Sequence, residues 1–109
     1  MHVWELAKAH WIALQYLREF KRSDVFNLGS DQGYSVREII NICQKVTGKQ
    51  IAVHETERRV GDPPVLISAS KKANEQLNWS PENQSLEAII SSAWKWQQKW
   101  YQNSPNTIR

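Results

Sequence analysis

The residues best suited to hold a ligand lie in one short loop, RRVGDPP, which runs from Arg58 to Pro64. An arginine side chain presents a planar fork of N–H donors that matches the oxygens of a phosphate group. The carboxylate of Asp62 accepts hydrogen bonds from hydroxyl groups such as those of a sugar. Gly61 and the prolines exclude regular structure and fix the shape of the loop. The residue types fit a ligand-binding loop and, equally, a surface turn stiffened by an Arg–Asp pair.

Other residue types that often carry chemistry lack the necessary spacing. The three histidines, His2, His10 and His54, are far apart in sequence, and His10 is predicted to pack on an apolar helix face. Cys43 falls within an apolar helical stripe and is predicted to be core. The segment NLGSDQGYS (27–35) has glycines between a predicted strand and a helix, but its spacing fits neither phosphate-binding fingerprint, which favours a tight turn. These patterns predict no catalytic residue, no metal ligand and no cofactor-binding residue.

Six tryptophans are unusual for 109 residues, and three of them fall in the segment AWKWQQKW near the end of the chain. Alternating aromatic and basic residues can bind single-stranded nucleic acid. Helical spacing, however, places Trp94 on a buried stripe, and it places Trp96 and Trp100 together on a different face. The net charge of +3 is also small and spread along the chain. We therefore expect a contact surface for another domain or subunit, and no nucleic-acid binding.

The composition limits the class of protein. The chain is 40% hydrophobic and 23% charged, which is typical of one small globular domain. No apolar run approaches the roughly 20 residues of a membrane-spanning helix, and no secretory signal follows Met1. A single cysteine excludes an intrachain disulfide, which suits the cytoplasm. We expect a cytoplasmic protein that does not interact with membranes.

The hydrophobic periodicity predicts an α/β protein with too few strands for a complete doubly wound sheet. Helices are predicted over 3–21, 35–47, 70–77 and 85–101, and strands over 25–30, 51–56 and 65–68. Ser35 and Glu38 have the spacing of a capping box, and Gly48 is the predicted stop of that helix. Ser85 is the predicted cap of the last helix. The first helix should bury one face, formed by Val3, Leu6, His10, Ala13, Leu17 and Phe20. The second helix should bury Val36, Ile39, Ile40, Cys43 and Val46, and the last helix should bury Leu86, Ile89, Ile90, Ala93, Trp94 and Gln97.

Several segments together resemble one known family. In order, these are HVWELAKAH (2–10), FNLGSDQGYSVREII (26–40), VTGK (46–49), RRVGDPPVLIS (58–68), KANEQLNW (72–79) and LEAIISSAWKW (86–96). They resemble the C-terminal part of UDP-glucose 4-epimerases, which are extended short-chain dehydrogenases/reductases. The resemblance departs from the family pattern at Glu5 and at Ala69, where aspartate is usual.

The resemblance implies a partial Rossmann-type fold. Residues 1–30 would supply the last helix and strand of an incomplete Rossmann domain, residues 31–101 the C-terminal nucleotide-sugar-binding lobe, and residues 102–109 a frayed tail. The predicted strand at 25–29 would then lack neighbouring strands. It, or the tryptophan-rich helix, would be available for homo-oligomer formation.

The resemblance also implies site residues and a function. Arg59 would contact the UDP diphosphate, Asp62 the uridine ribose, and Leu66 would line the sugar pocket. The family moves a hydride between sugar C4 and NAD with a Tyr-x-x-x-Lys pair, which this chain lacks. We therefore expect an inactive chain that binds no NAD and binds a UDP-sugar weakly or not at all. The alternatives are a fragment of a sister nucleotide-sugar epimerase or dehydratase, or a stand-alone protein-interaction module.

Overall fold

The computed structural model describes residues 1–82 and 85–103, and the regular elements of these residues are four helices. They are α1 (Val3–Phe20), α2 (Val36–Thr47), α3 (Lys71–Leu77) and α4 (Leu86–Asn103). Each lies within two residues of a helix predicted from the sequence. None of them is long and apolar enough to cross a membrane.

The chain divides into two compact units that interleave along the sequence. Unit 1 comprises residues 1–33 and 57–84, and unit 2 comprises residues 34–56 and 85–109. The predicted division into an incomplete Rossmann domain and a binding lobe describes a longer parent fold, and it stays a prediction. The first two residues of the predicted frayed tail, 102–103, belong to α4, and the rest of the tail lies outside the described residues.

The three predicted strands are not formed in the described part of the chain. Residues 25–30, 51–56 and 65–68 have no strand assignment, and no backbone–backbone hydrogen bond joins any of them to another segment. A strand is stable only when a neighbouring strand pairs with its backbone groups. The described residues supply no such partner, so the predicted partial sheet is not confirmed.

Unit 1 has a small core between α1, α3 and the segment after α3. Its buried hydrophobic residues are Ala9, Tyr16, Ala73, Leu77 and Trp79. Three half-buried residues pack against them, namely Ile12, Phe26 and Leu28. The indole N–H of Trp79 donates to the carbonyl oxygen of Glu5 at 3.1 Å, so the largest side chain of the core also satisfies its only polar group.

The buried face of α1 is not the predicted one. The structure buries Glu5, Ala9 and Tyr16, which follow one another at four- and seven-residue steps. Most of the predicted apolar face is exposed, because the partners available in unit 1 cover a different side of the helix. This exposed group consists of Val3, Leu6, His10, Leu17 and Phe20.

Glu5 lies in the first turn of α1 and is buried rather than solvated. Its side chain is 2% exposed, and neither carboxylate oxygen has a hydrogen-bond partner among the described residues. The closest cation is the Nζ of Lys8, 3.6 Å away, and that ammonium group also donates to Glu82 at 2.6 Å. The hydrogen bond with Lys8 lowers the pKa of Glu82. Among the described residues, the partner of this buried carboxylate is therefore Lys8, in a long ion pair.

Unit 2 consists mainly of α2 packed against α4. The predicted capping box is confirmed, since Glu38 N–H donates to Ser35 Oγ at 3.1 Å and Ser35 N–H donates to Glu38 Oε2 at 2.7 Å. Gly48 ends α2 in the left-handed conformation, with φ at 67°. The Oγ of Ser85 accepts from Ala88 N–H at 3.2 Å and caps α4, which was also predicted.

The helix faces in unit 2 are buried only in part. Ile40, Cys43 and Val46 of the predicted α2 stripe are half-buried, whereas Val36 and Ile39 are exposed. In α4 the half-buried residues of the predicted stripe are Leu86, Ile89, Ile90 and Trp94, whereas Ala93 and Gln97 are exposed. In the described residues of unit 2, the apolar faces of α2 and α4 thus meet in one seam, and the residues of this seam are only partly buried.

Candidate functional site

The loop 58–64 belongs to unit 1 and is held by its own side chains. The guanidinium Nε of Arg59 donates to Asp62 Oδ2 at 3.1 Å, and the guanidinium of Arg58 donates to the carbonyl oxygen of Asp62 at 2.8 Å. The backbone closes with a weak hydrogen bond from Asp62 N–H to Arg59 carbonyl oxygen at 3.4 Å. Both arginines therefore converge on Asp62, and they give the loop a defined shape.

Gly61 allows the turn at the centre of this loop. Its φ is 91°, a conformation that residues with a Cβ rarely adopt. The adjacent Val60 is fully exposed. Every peptide bond within the described residues is trans, so Pro63 and Pro64 shape the loop through their fixed φ alone.

The three predicted binding residues are all accessible to a ligand. The Arg59 side chain is 86% exposed and that of Asp62 is 47% exposed. Leu66 is 86% exposed, four residues further along the chain. The structure brings Arg59 and Asp62 into contact, whereas no contact of Leu66 with either of them is seen.

A cleft of about 490 Å³ lies elsewhere, in unit 2 between α2 and residues 53–55. Its walls include Ile40, Gln44 and Val53, with His54 at one side. None of the predicted binding residues lines this cleft. The side chains of Arg59 and Asp62 are instead exposed on the surface of unit 1.

Sequence reasoning missed the contacts that hold the neighbouring segments 29–31 and 68–70 together. Ser70 is completely buried, and its hydroxyl donates to the carbonyl oxygen of Gly29 at 3.1 Å and to Asp31 Oδ2 at 3.2 Å. The N–H of Ser70 donates to Asp31 Oδ1 at 2.9 Å. Ser68 lies so close to Gly29 that a Cβ there would meet the Ser68 carbonyl oxygen at 2.3 Å. The glycine serves a close backbone approach, consistent with the predicted turn and not with a phosphate loop.

Asp31 is the residue that binds Ser70 in this arrangement. It has a positive φ of 55°, which aspartate tolerates better than most residues. Each of its two carboxylate oxygens accepts one hydrogen bond from Ser70, which compensates for the strained backbone. The pair is 39 residues apart in sequence, so local patterns do not reveal it.

A second connection holds residues 24–26 against α3. Lys72 Nζ pairs with the carboxylate of Asp24 and donates to the carbonyl oxygen of Val25 at 2.8 Å. The same ammonium group lies 4.8 Å from the centre of the Phe26 ring. The hydrogen bond from Lys72 lowers the pKa of Asp24. These contacts fix one side of the segment that follows α1.

His2 and His10 make hydrogen-bond contacts at the start of α1 and within it, and Cys43 lies in α2. His2 Nδ1 accepts from Trp4 N–H at 3.0 Å at the start of α1. His10 is exposed rather than packed, and its Nδ1 lies 2.7 Å from the Leu6 carbonyl oxygen in the same helix. Cys43 is a half-buried free thiol. Within residues 1–82 and 85–103, no group of three or more His, Cys, Asp or Glu side chains could hold a metal ion.

Comparison with known proteins gives a consistent result, although no protein-family model matches the chain. The UDP-glucose 4-epimerase of Streptococcus mutans is 47% identical over 96 residues, which are 88% of this chain and 29% of that protein. The UDP-glucose 4-epimerase of Halalkalibacterium halodurans is 45% identical, with the same coverage of both chains.

A solved structure of UDP-glucose-4-epimerase from Stenotrophomonas maltophila, with bound NAD and formylated UDP-arabinopyranose, superposes with a TM-score of 0.84 at 35% identity. The match covers 95% of this chain and 31% of that one. The chain therefore shares the fold of one part of these Rossmann-type enzymes. It is confirmed as the counterpart of a segment of UDP-glucose 4-epimerases that makes up about 29% of their length.

Proposed function

We propose that this chain is the substrate-binding portion of a UDP-glucose 4-epimerase and that it contributes contacts to the diphosphate and ribose of UDP. The similarity over 88% of the chain to enzymes of this name is the observation that carries the proposal. The loop 58–64 supports it, because two exposed arginines are hydrogen-bonded there to one aspartate in a turn.

Arg59 is assigned to the diphosphate. In the unliganded chain its guanidinium is paired with Asp62, and both side chains are exposed to solvent. Exposed ion pairs of this kind contribute at most about 1 kcal/mol, so the pair opens at little cost. A bidentate contact between arginine and a diphosphate is considerably stronger. The Arg59–Asp62 pair therefore keeps the guanidinium in place without preventing it from turning to a ligand.

Asp62 is assigned to the ribose and Leu66 to the sugar pocket. Once Arg59 has turned to the diphosphate, the Asp62 carboxylate can accept hydrogen bonds from ribose hydroxyls. Its carbonyl oxygen stays bound to Arg58, so the backbone of the loop keeps its position. Leu66 presents an exposed apolar side chain four residues further on, which suits the carbon face of a sugar. In this arrangement Arg58 holds the loop, and Arg59 binds the ligand.

Catalysis is assigned to the part of the enzyme that has no counterpart in this chain. The solved Stenotrophomonas maltophila relative contains NAD, and this chain covers about 31% of that protein. We propose that NAD and the acid–base residues belong to the remaining part, so that the isolated chain is inactive. Both this inactivity and the cytoplasmic location stay predictions.

The test is a chimeric enzyme in which this chain replaces the matching segment of the Streptococcus mutans relative. Arg59→Ala should weaken UDP binding, measured by isothermal titration calorimetry, about tenfold or more, because a charge-assisted hydrogen bond contributes about 1.5–3 kcal/mol. Arg37→Ala removes the same charge from an exposed arginine of α2 and should leave the affinity unchanged. Equal affinities of the two variants would remove Arg59 from the site.

A sister enzyme for a different nucleotide sugar is the second candidate. One solved relative holds a UDP-linked pentose derivative, so the same fold accommodates more than one sugar. Measuring turnover of the chimera with UDP-glucose and UDP-arabinose distinguishes the two candidates. A sister dehydratase or a stand-alone interaction module would show no 4-epimerase activity in this assay.

A further inference from the structure

The guanidinium of Arg59 already has an anionic partner within its own loop. Its Nε donates to Asp62 Oδ2 at 3.1 Å, and both side chains are exposed to solvent. Opposite charges at this distance partly compensate each other. An anion that reaches Arg59 therefore has to compete with the Asp62 carboxylate for the guanidinium.

The carboxylate of Asp62 is kept in position by the backbone of the loop. The guanidinium of Arg58 donates to the Asp62 carbonyl oxygen at 2.8 Å, and the Asp62 N–H donates to the Arg59 carbonyl oxygen at 3.4 Å. Gly61 turns the chain directly before Asp62, with φ at 91°. These contacts do not involve the side chain of Arg59. The carboxylate therefore stays beside the Arg59 guanidinium when the guanidinium turns to another anion.

This carboxylate affects two classes of ligand differently. An anion without hydroxyl groups, such as pyrophosphate, takes Arg59 from Asp62 and leaves a negative charge beside its own, and like charges at close range repel. A nucleoside diphosphate takes the same guanidinium, but the hydroxyls of its ribose can donate to the carboxylate and replace the lost partner. A site that combines an attractive and a repulsive element in this way discriminates between related ligands.

We propose that Asp62 determines specificity at this loop, because its charge disfavours phosphate anions that lack a ribose and favours diphosphates that carry one. The inference rests on the proposed function, from which it takes the contact between Arg59 and the diphosphate. It goes beyond a ribose contact, since a ribose contact alone leaves the affinity for pyrophosphate unchanged. The loop 58–64 has two arginines and one aspartate. Without the charge of Asp62, both arginines would be available to any phosphate group.

The test compares pyrophosphate and UDP as ligands of the chimeric enzyme, measured by isothermal titration calorimetry. Asp62→Asn keeps the size of the side chain and removes its charge. Pyrophosphate should bind this variant about three- to fivefold more tightly, which is the range open to an exposed ion pair. UDP should bind it at least about threefold more weakly, because its ribose loses hydrogen bonds to a charged group. A loop that had merely lost its shape would bind both ligands more weakly.

Two further variants serve as controls. Glu57→Gln removes the same charge from an exposed residue two positions before Arg59, and it should leave the ratio of the two affinities unchanged. The double variant Arg59→Ala/Asp62→Asn should lose the gain in pyrophosphate affinity, which shows that pyrophosphate binds at Arg59.

Three results would overturn the proposal. The first is an unchanged or reduced affinity of Asp62→Asn for pyrophosphate, and the second is an equal gain for Glu57→Gln. Either result leaves the proposed function intact as long as Arg59→Ala weakens UDP binding. The third is an unchanged affinity of Arg59→Ala for UDP, which removes the proposed function and this inference together.

Should the chimera fail to fold, the competition is measured in the full 109-residue chain, because the groups involved all belong to residues 58–62. Pyrophosphate is titrated while the resonance of the Arg59 Nε–H group is followed by NMR. A lower dissociation constant for Asp62→Asn than for Glu57→Gln supports the proposal, and equal constants overturn it.

Discussion

Helices α1 and α2 differ in how far their own residues determine where the helix begins and ends and which of its faces is buried. Helix α2 begins at a reciprocal capping box, ends at a left-handed glycine and has one apolar seam, which α4 covers in part. Helix α1 has apolar residues on nearly every side, and its covered face depends on residues beyond position 70. Local signals therefore determine α2, whereas the buried face of α1 depends on residues distant in sequence.

The largest expected effect concerns the distant contacts of α1. Trp79→Ala removes the largest buried side chain and its hydrogen bond to the Glu5 carbonyl oxygen. Replacing a buried aromatic residue by alanine typically costs about 3–5 kcal/mol, and we expect a loss of that order in urea denaturation followed by circular dichroism. Trp96→Ala is the matched control, because Trp96 is 62% exposed, and it should cost less than about 1 kcal/mol. Similar losses for the two variants would contradict the structure of unit 1.

A smaller effect is expected at the start of α2. Ser35→Ala removes the acceptor for the Glu38 N–H and should lower the free energy of unfolding by about 1 kcal/mol. Asn41→Ala, at an exposed position within α2, should leave stability unchanged or raise it slightly, since alanine favours helix. If Ser35→Ala were neutral, the distinction between a locally specified α2 and a dependent α1 would lose its support.

The smallest effect is the pH dependence of the same cap. The backbone N–H of Ser35 binds the Glu38 carboxylate and lowers the pKa of Glu38 below its usual 4.5. Because the folded pKa lies below the unfolded one, this contribution is complete above about pH 4.5 and is lost as the pH falls through the lowered pKa. The difference in thermal midpoint between the wild type and Glu38→Gln should therefore shrink on acidification. A difference that stays constant from neutral pH to below pH 4 would show that the cap does not titrate.

The elements that the sequence predicted well are those with local causes. The caps at Ser35, Gly48 and Ser85 were predicted because they depend on residues at most four positions away. The Arg59–Asp62 pair was anticipated as one of two interpretations of its loop for the same reason. Its role toward a ligand stays a proposal, since residue types alone do not distinguish a stiff turn from a binding loop.

The predictions that failed depend on partners distant in sequence or missing from the described residues. The wrong face was chosen for α1 because a helix with two apolar faces does not indicate which one its own chain will cover. The strands were predicted from composition, but pairing requires a second strand. The contact between Asp31 and Ser70 spans 39 residues and leaves no local pattern. The burial of Glu5 breaks the general preference for solvated carboxylates, so composition could not predict it.

The hydrogen bond between Trp79 and Glu5 cannot form during synthesis until residue 79 has been added to the chain. The two residues are separated by 74 positions, and all of residues 34–56, which belong to the other unit, lie between them. Helix α1 therefore leaves the ribosome long before its cover exists, while the signals that start and stop α2 are complete as soon as α2 emerges. During that interval the face of α1 that later packs on Ala73, Leu77 and Trp79 is uncovered, and transiently exposed apolar surface favours aggregation.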